Sequence, residues 1–315
     1  MSVVLPCHGS LPYIQETVDS LIHQTFSEFE VIVVNDRIAY EDIDYVKELS
    51  RLDSRFRVVD SYGHGISAAL NTGISHTNSN FIARIDADDI MDLLRLEIQH
   101  QEITLRKEVL CVGSQLKIIN EFGKLIRHTN FPEYCDQIRE MMTLRNVVAH
   151  PSVLFRKDAF LKVGSYRSFF DGAEDYDLWL RLIKSGEIVN LHESLTSYRI
   201  HSAQETRKNR EIQQKMDSVT RFYAVIEPEI SIMMGPNTLK SIVSSEMFKS
   251  ADLVKNSLLP QQVKKSLLGA QYLNAAMSNP NFVNLLGAIY VLGSRPKLFF
   301  LAVKYLCSRL AYVSG

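Results

Sequence analysis

The chain has no CxxC pair. Cys7, Cys111, Cys135 and Cys307 are scattered along it, which argues against a disulfide framework and a cysteine-based zinc site and suits a reduced, cytoplasmic setting. An excess of one charge is missing too. The formal net charge is -1 and there is no basic run, so nothing draws a polyanion, and no nucleic-acid partner is expected. No GxxxxGK[ST] loop is present, and Gly63-His64-Gly65 does not complete a GxGxxG signature; two common phosphate cradles are thereby removed. No basic segment with a long apolar stretch precedes Val3, so no secretion signal is expected. Long apolar runs are lacking as well. The most apolar stretch, residues 282–313, is split by Gly293-Ser294-Arg295-Pro296-Lys297. Each piece falls short of the roughly 20 residues that a bilayer core about 30 Å thick requires.

What is present is the composition of an ordinary folded protein. Hydrophobic residues make up 46% and charged residues 23% of a chain of 315, enough for one large domain with a smaller appendage. Through the first half, short apolar runs alternate with helical patterns, the signature of a mostly parallel, Rossmann-like sheet flanked by helices. Residues 3–5, 29–34, 56–59 and 81–85 read as strands; residues 14–22, 43–52 and 67–74 read as helices between them. Residues 109–119 and 152–155 look strand-rich, and residues 173–184 helical. The fold class is α/β. A catalytic domain is expected over residues 1–202, and a helical C-terminal region over 203–315, punctuated by Pro228, Pro236, Pro260 and Pro280. Lys297, Lys304 and Arg309 lie beside Leu298, Phe299, Leu301, Leu306 and Leu310, a pattern that suits peripheral membrane contact and equally a packed terminal helix.

Polar residues stand where strands end, at His8, Asp36 and Asp86, which is where open α/β sheets bind ligands. The densest feature is Arg84-Ile85-Asp86-Ala87-Asp88-Asp89. Three carboxylates so close repel one another unless a cation compensates, and hard oxygen donors suit Mn2+ or Mg2+ completed by substrate phosphates. A solvated loop or the acidic first turn of a helix reads the same way. A second cluster, Glu174-Asp175-Tyr176-Asp177, opens a helical pattern and admits both a capping role and that of a general base for an acceptor hydroxyl. His201, in Tyr198-Arg199-Ile200-His201, is a candidate for metal or phosphate contact, though a lone histidine more often has neither role.

Taken in order, these stretches resemble family 2 of the inverting glycosyltransferases, of the bacterial surface-polysaccharide type, whose catalytic domain has the GT-A fold. The resemblance spans roughly residues 2–202. It rests on Val3-Val4-Leu5-Pro6, Phe29-Glu30-Val31-Ile32-Val33-Val34, Ala69-Leu70-Asn71-Thr72-Gly73-Ile74, Asp86-Ala87-Asp88-Asp89, His150-Pro151-Ser152-Val153, Glu174-Asp175-Tyr176-Asp177-Leu178-Trp179 and Tyr198-Arg199-Ile200-His201. It implies a nucleotide-sugar donor, a divalent cation and a glycan or lipid-linked glycan acceptor at the inner face of the cytoplasmic membrane. By position it places Pro6, His8, Asp36, Arg84 and Asp86 at the nucleotide. Asp88 becomes the main metal ligand, with Asp86 and His201 beside it; Asp175 becomes the base and Glu174 its support.

Two stretches depart from the family pattern. Cys7-His8-Gly9 stands where Tyr and Asn usually follow the proline, and Asn35-Asp36-Arg37-Ile38 replaces a pair of aspartates and a Gly-Ser. His8 retains a stacking face and Asp36 a base contact, so UDP remains the default nucleotide. The competing readings are a metal-dependent nucleotidyltransferase or phosphohydrolase, and a non-catalytic module that keeps the fold without the chemistry.

Overall fold

The computed structural model describes residues 1–142 and 145–202, with Gln204, Gln213, Met216, Asp217 and Thr220 beyond them. The expected helical C-terminal region, and with it the membrane-contact reading, lies outside the described residues apart from those few positions. No helix among the described residues is long and apolar enough to cross a membrane.

Nine strands form one sheet among the described residues. In chain order the elements are β1 (Ser2–Gly9), α1 (Ile14–Ile22), β2 (Glu30–Ile38), α2 (Tyr40–Leu52), β3 (Phe56–Asp60), α3 (Ile66–Ser75), β4 (Phe81–Arg84), β5 (Ile90–Met91) and α4 (Arg95–Leu105). They continue as β6 (Val109–Asn120), β7 (Leu125–His128), α5 (Cys135–Met141), β8 (Leu154–Arg156), α6 (Lys157–Lys162), α7 (Glu174–Leu182) and β9 (Glu187–Ile200). The strand order is β3-β2-β1-β4-β8-β6-β9-β5, with β7 paired to β6.

The first half is parallel, as the apolar runs predict: β2 pairs with β3 and β1, and β1 pairs with β4. Strands β1, β2 and β4 are buried on both faces over most of their length, and β3 at the margin of the sheet is more exposed. Val3, Leu5, Val31 and Val33 pack with Ile14, Val18 and Leu21 of α1 and Val46 and Leu49 of α2. Toward α3, Gly73 packs so tightly that a Cβ there would come within 2.5 Å of Val4 and 2.9 Å of Val34; the missing side chain lets the helix sit close. The second half is mixed. After the His150–Ser152 turn the chain re-enters the sheet as β8, antiparallel to both β4 and β6, while the long β9 runs parallel to β6 and antiparallel to β5.

This order makes β1 the point where the sheet changes direction of growth, β2 lying on one side and β4 on the other. The crevice beyond the carboxyl ends of these strands is the expected ligand position. His8 and Asp36 are register partners across β1 and β2. Because β4 stops at Arg84, opposite Val4, residues 85–89 leave the sheet there and carry their carboxylates to its edge.

Candidate active site

Three groups of side chains meet along this edge. The first surrounds Asp36, a buried carboxylate. Gly65 N–H donates to its Oδ2 at 3.1 Å and Arg37 Nε to its Oδ1 at 3.2 Å, while the ring of His64 lies 3.7 Å from Oδ1. His8, with an exposed ring, places Nδ1 2.6 Å from the Asp36 backbone oxygen. Pro6 is buried inside β1. Asp171, from a distant loop, reaches the same region and accepts from Ser67 N–H at the start of α3.

The second group is the acidic turn, fastened to its surroundings at both ends. Asp89 N–H donates to Asp86 O at 3.3 Å, and Thr17 of α1 donates to Asp89 O at 2.7 Å. Arg199, at the end of β9, gives its backbone N–H to Asp89 Oδ1 at 2.9 Å and its Nε to Asp88 O at 3.0 Å. This brings His201 to the turn, its Nε2 2.9 Å from Asp88 Oδ2, with Tyr13 edge-on against the imidazole at 5.1 Å. Asp86, Asp88 and Asp89 each offer an oxygen within 4.8 Å of the others. Burial raises the carboxyls of Asp86 and Asp89 above their usual range; Asp88 adds to both, and Arg84 works against it. One oxygen of Asp89 is buried without a hydrogen-bond partner. Crowded, protonation-prone carboxylates beside an imidazole are a donor set that fits a hard divalent cation.

The third group lies at the start of α7. Asp175 accepts from Asn146 Nδ2 and from Tyr176 N–H, each at 2.7 Å, and Glu174 accepts from Gly172 N–H at 2.8 Å. His150 lies 3.5 Å from Glu174 through Nδ1 and 2.8 Å from the Tyr166 hydroxyl through Nε2. Burial, followed by the charge of Arg84, pushes His150 down to about 3, so it is a neutral ring. Burial also raises the carboxyls of Glu174 and Asp175. Asp177, the third carboxylate of the stretch, turns away and is held by Arg167 and Arg181.

Arg84 stands between the second and third groups. The sequence reading places it near a nucleotide; in the structure it is buried and forked onto Asp86, with Tyr166 and Glu174 also within its field. His150, Tyr166 and Asn146 carry no role in the sequence reading. His150 lies in one of the stretches that carry the resemblance, without a role attached to it; no local signal marks Asn146 or Tyr166, because their loops meet the site only in three dimensions.

Residues 2–164 match the profile described as Glycosyl transferase family 2. The chain belongs to that family. Among named relatives, the O-antigen biosynthesis glycosyltransferase WbnJ of Escherichia coli is 34% identical over 206 residues, covering 64% of this chain and 80% of WbnJ. The chondroitin synthase of Pasteurella multocida (strain Pm70) is 27% identical over 216 residues, which take in 68% of this chain and 22% of that enzyme. Among solved structures, S. aureus TarS 1-349 in complex with UDP-GlcNAc superposes with a TM-score of 0.54 at 17% identity, covering 96% of this chain and 81% of the other. The mannosyltransferase PcManGT from Pyrobaculum calidifontis, in complex with GDP-Man and Mn2+, gives 0.54 at 16% identity, covering 97% and 86%. The fold is that of the GT-A glycosyltransferases, and the chain is a glycosyltransferase.

Proposed function

We propose that the protein moves a sugar from a UDP-sugar to a hydroxyl of a surface glycan under assembly, with inversion at the anomeric carbon and with Mn2+ or Mg2+ as cofactor. The observation that supports this most is the convergence of two carboxylate groups from separate parts of the chain. Asp86 and Asp88 stand with His201, Glu174 and Asp175 stand with His150, and Arg84 lies between them.

In this reading Asp36 accepts a hydrogen bond from the base, His8 offers its exposed ring for stacking, and Pro6 fixes the strand beneath. Asp86, Asp88 and His201 hold the cation, which when bound offsets the charge growing on the leaving diphosphate. Asp175 takes the proton from the acceptor hydroxyl as its oxygen attacks C1. The bond from C1 to the diphosphate breaks on the opposite face, so the configuration inverts. A carboxylate whose pKa is raised by burial is a stronger proton acceptor than an exposed one. Glu174, tied to Gly172 N–H, keeps a second acceptor beside it for the incoming hydroxyl.

In this reading residues 1–202 carry the catalytic chemistry, and residues 203–315 bring the enzyme to the inner face of the cytoplasmic membrane, where a lipid-linked glycan serves as acceptor. The named role of WbnJ in O-antigen biosynthesis and the apolar residues 282–313 favour this setting. The two fold neighbours hold different nucleotides, so the test is a calorimetric panel of nucleoside diphosphates, with and without Mn2+, on the full chain. Binding of UDP that needs Mn2+ is expected. Preference for GDP would reassign the donor, and metal-independent binding would remove the cation from the mechanism.

A further inference from the structure

We infer that Arg95 is a positioning residue for the acidic turn, a brace that fixes where Asp86 and Asp88 stand relative to His201; this rests on the reading that those three side chains hold the donor's cation. Arg95 lies at the first position of α4, with no exposed surface. Its guanidinium offers five N–H groups, and the structure gives each an acceptor. Nε donates to Gln99 Oε1 at 3.0 Å; Nη1 donates to Pro151 O at 2.6 Å and Thr196 Oγ1 at 3.0 Å; Nη2 donates to Arg84 O at 2.8 Å and Val153 O at 3.1 Å.

The acceptors belong to the segments that build the site. Arg84 O lies two residues before Asp86. Pro151 lies within the His150–Ser152 turn and Val153 directly follows it, and Thr196 lies on β9, the strand that leads to Arg199 and His201. Thr196 is also the register partner of Met91 in β5, just past the acidic turn. Gln99 extends the brace, donating to Ser152 O at 2.7 Å and Val112 O at 2.9 Å.

None of the five acceptors is a carboxylate. Burying a guanidinium on neutral acceptors costs desolvation that an apolar side chain of similar volume would avoid. Two features of the site account for keeping it. Asp89 is the carboxylate whose charge favours the Arg95 cation, and Asp89 Oδ2 is buried without a hydrogen-bond partner; Arg95 therefore supplies positive charge behind the turn without hydrogen-bonding any of its carboxylates. The fixed fork also reaches several segments at once, which a three-donor ammonium cannot do.

The test measures the Mn2+ dependence of UDP binding by the full chain, alongside thermal melting, for wild type, Arg95→Lys, Thr196→Val and the double variant. Thr196→Val removes one acceptor and keeps the volume and the arginine. Arg95→Lys is expected to weaken apparent Mn2+ affinity by about 10-fold or more, the size of effect that outer partners of a metal site exert. Thr196→Val is expected to weaken it severalfold, and the double variant to lose less than the product of the two, because both act through one contact. Melting should stay well above the assay temperature for Thr196→Val, which carries the test alone should Arg95→Lys fail to fold. Wild-type Mn2+ affinity in Thr196→Val, or in a folded but less stable Arg95→Lys, would overturn the inference by reducing Arg95 to a packing element. Absence of Mn2+-dependent UDP binding in the wild type would instead overturn the donor-site reading, and this inference with it.

Discussion

His201 Nε2 stands 2.9 Å from Asp88 Oδ2 although the two residues are 113 positions apart. The contact is held through Arg199, whose backbone N–H donates to Asp89 Oδ1 and whose Nε donates to Asp88 O. Arg199 is itself clamped by Glu16 at 2.7 Å and lies over the ring of Tyr13. The end of β9 and the acidic turn therefore behave as one piece, and a ligand arriving there meets donors already in place.

Removing either partner should accordingly act on the metal-dependent part of nucleotide binding and little on folding. Asp88→Ala is expected to abolish Mn2+-dependent UDP binding, and His201→Ala to weaken it by about 10-fold, with melting temperatures near wild type. Calorimetry checks both. Wild-type affinity in His201→Ala would exclude the imidazole from the site.

The pH dependence follows from the third group. Burial raises the carboxyls of Glu174 and Asp175, and a base acts only when ionised, so activity should be lost as pH falls through the raised value. The acid limb of kcat/KM is thus expected at a higher pH than the value of about 4 typical of exposed carboxylates. His150 cannot produce that limb, because burial holds it near 3. Asp175→Asn should lower kcat by about 10²- to 10⁴-fold with UDP binding intact. Substantial activity in Asp175→Asn with the limb unmoved would transfer the base role to Glu174.

How much of this could be read from the sequence depends on where the signal lies. Parallel strands buried on both faces give continuous apolar runs, so residues 3–5, 29–34 and 81–85 declared themselves, and Asp36 and the acidic turn fell at strand ends as expected. The strand β9 gave no such signal, because its pairing with β6 shifts register three times and breaks the alternation. Helix α4 was hidden for another reason: its buried face carries Arg95 and Gln99 beside Leu96 and Ile103, which erases an amphipathic pattern. Glu174, Asp175 and Asp177 looked alike as a string of acids, and only their three-dimensional partners separate them.

That separation is testable on Asp177. Its carboxylate is buried and shared by Arg167 and Arg181, so Asp177→Asn removes the negative charge that both guanidiniums donate to. A loss of about 3–5 kcal/mol of stability is expected, as for the breaking of a buried pair, read as a lower midpoint in urea. The folded fraction should bind UDP as wild type does. Asp175→Asn should show the reverse pattern, with stability kept and turnover lost.

Gly65 offers the most local test of the base-binding side. It adopts φ 91 and ψ 165 at the cap of α3, a backbone region essentially confined to glycine. Its N–H donates to Asp36 Oδ2, and a Cβ there would come within 2.5 Å of Asp171 Oδ2. Alanine at this position therefore meets two obstacles, a backbone cost of about 1–3 kcal/mol and a collision with the Asp171 carboxylate. Moving the loop outward relieves both, at the expense of the hydrogen bond that holds Asp36. Gly65→Ala should lower the melting temperature and weaken UDP binding severalfold without altering the requirement for Mn2+. Adding Asp171→Gly removes the collision and leaves the backbone cost, so the double variant should recover part of the affinity. If Gly65→Ala melts earlier yet binds UDP as wild type does, the loop supports the fold without setting the position of Asp36.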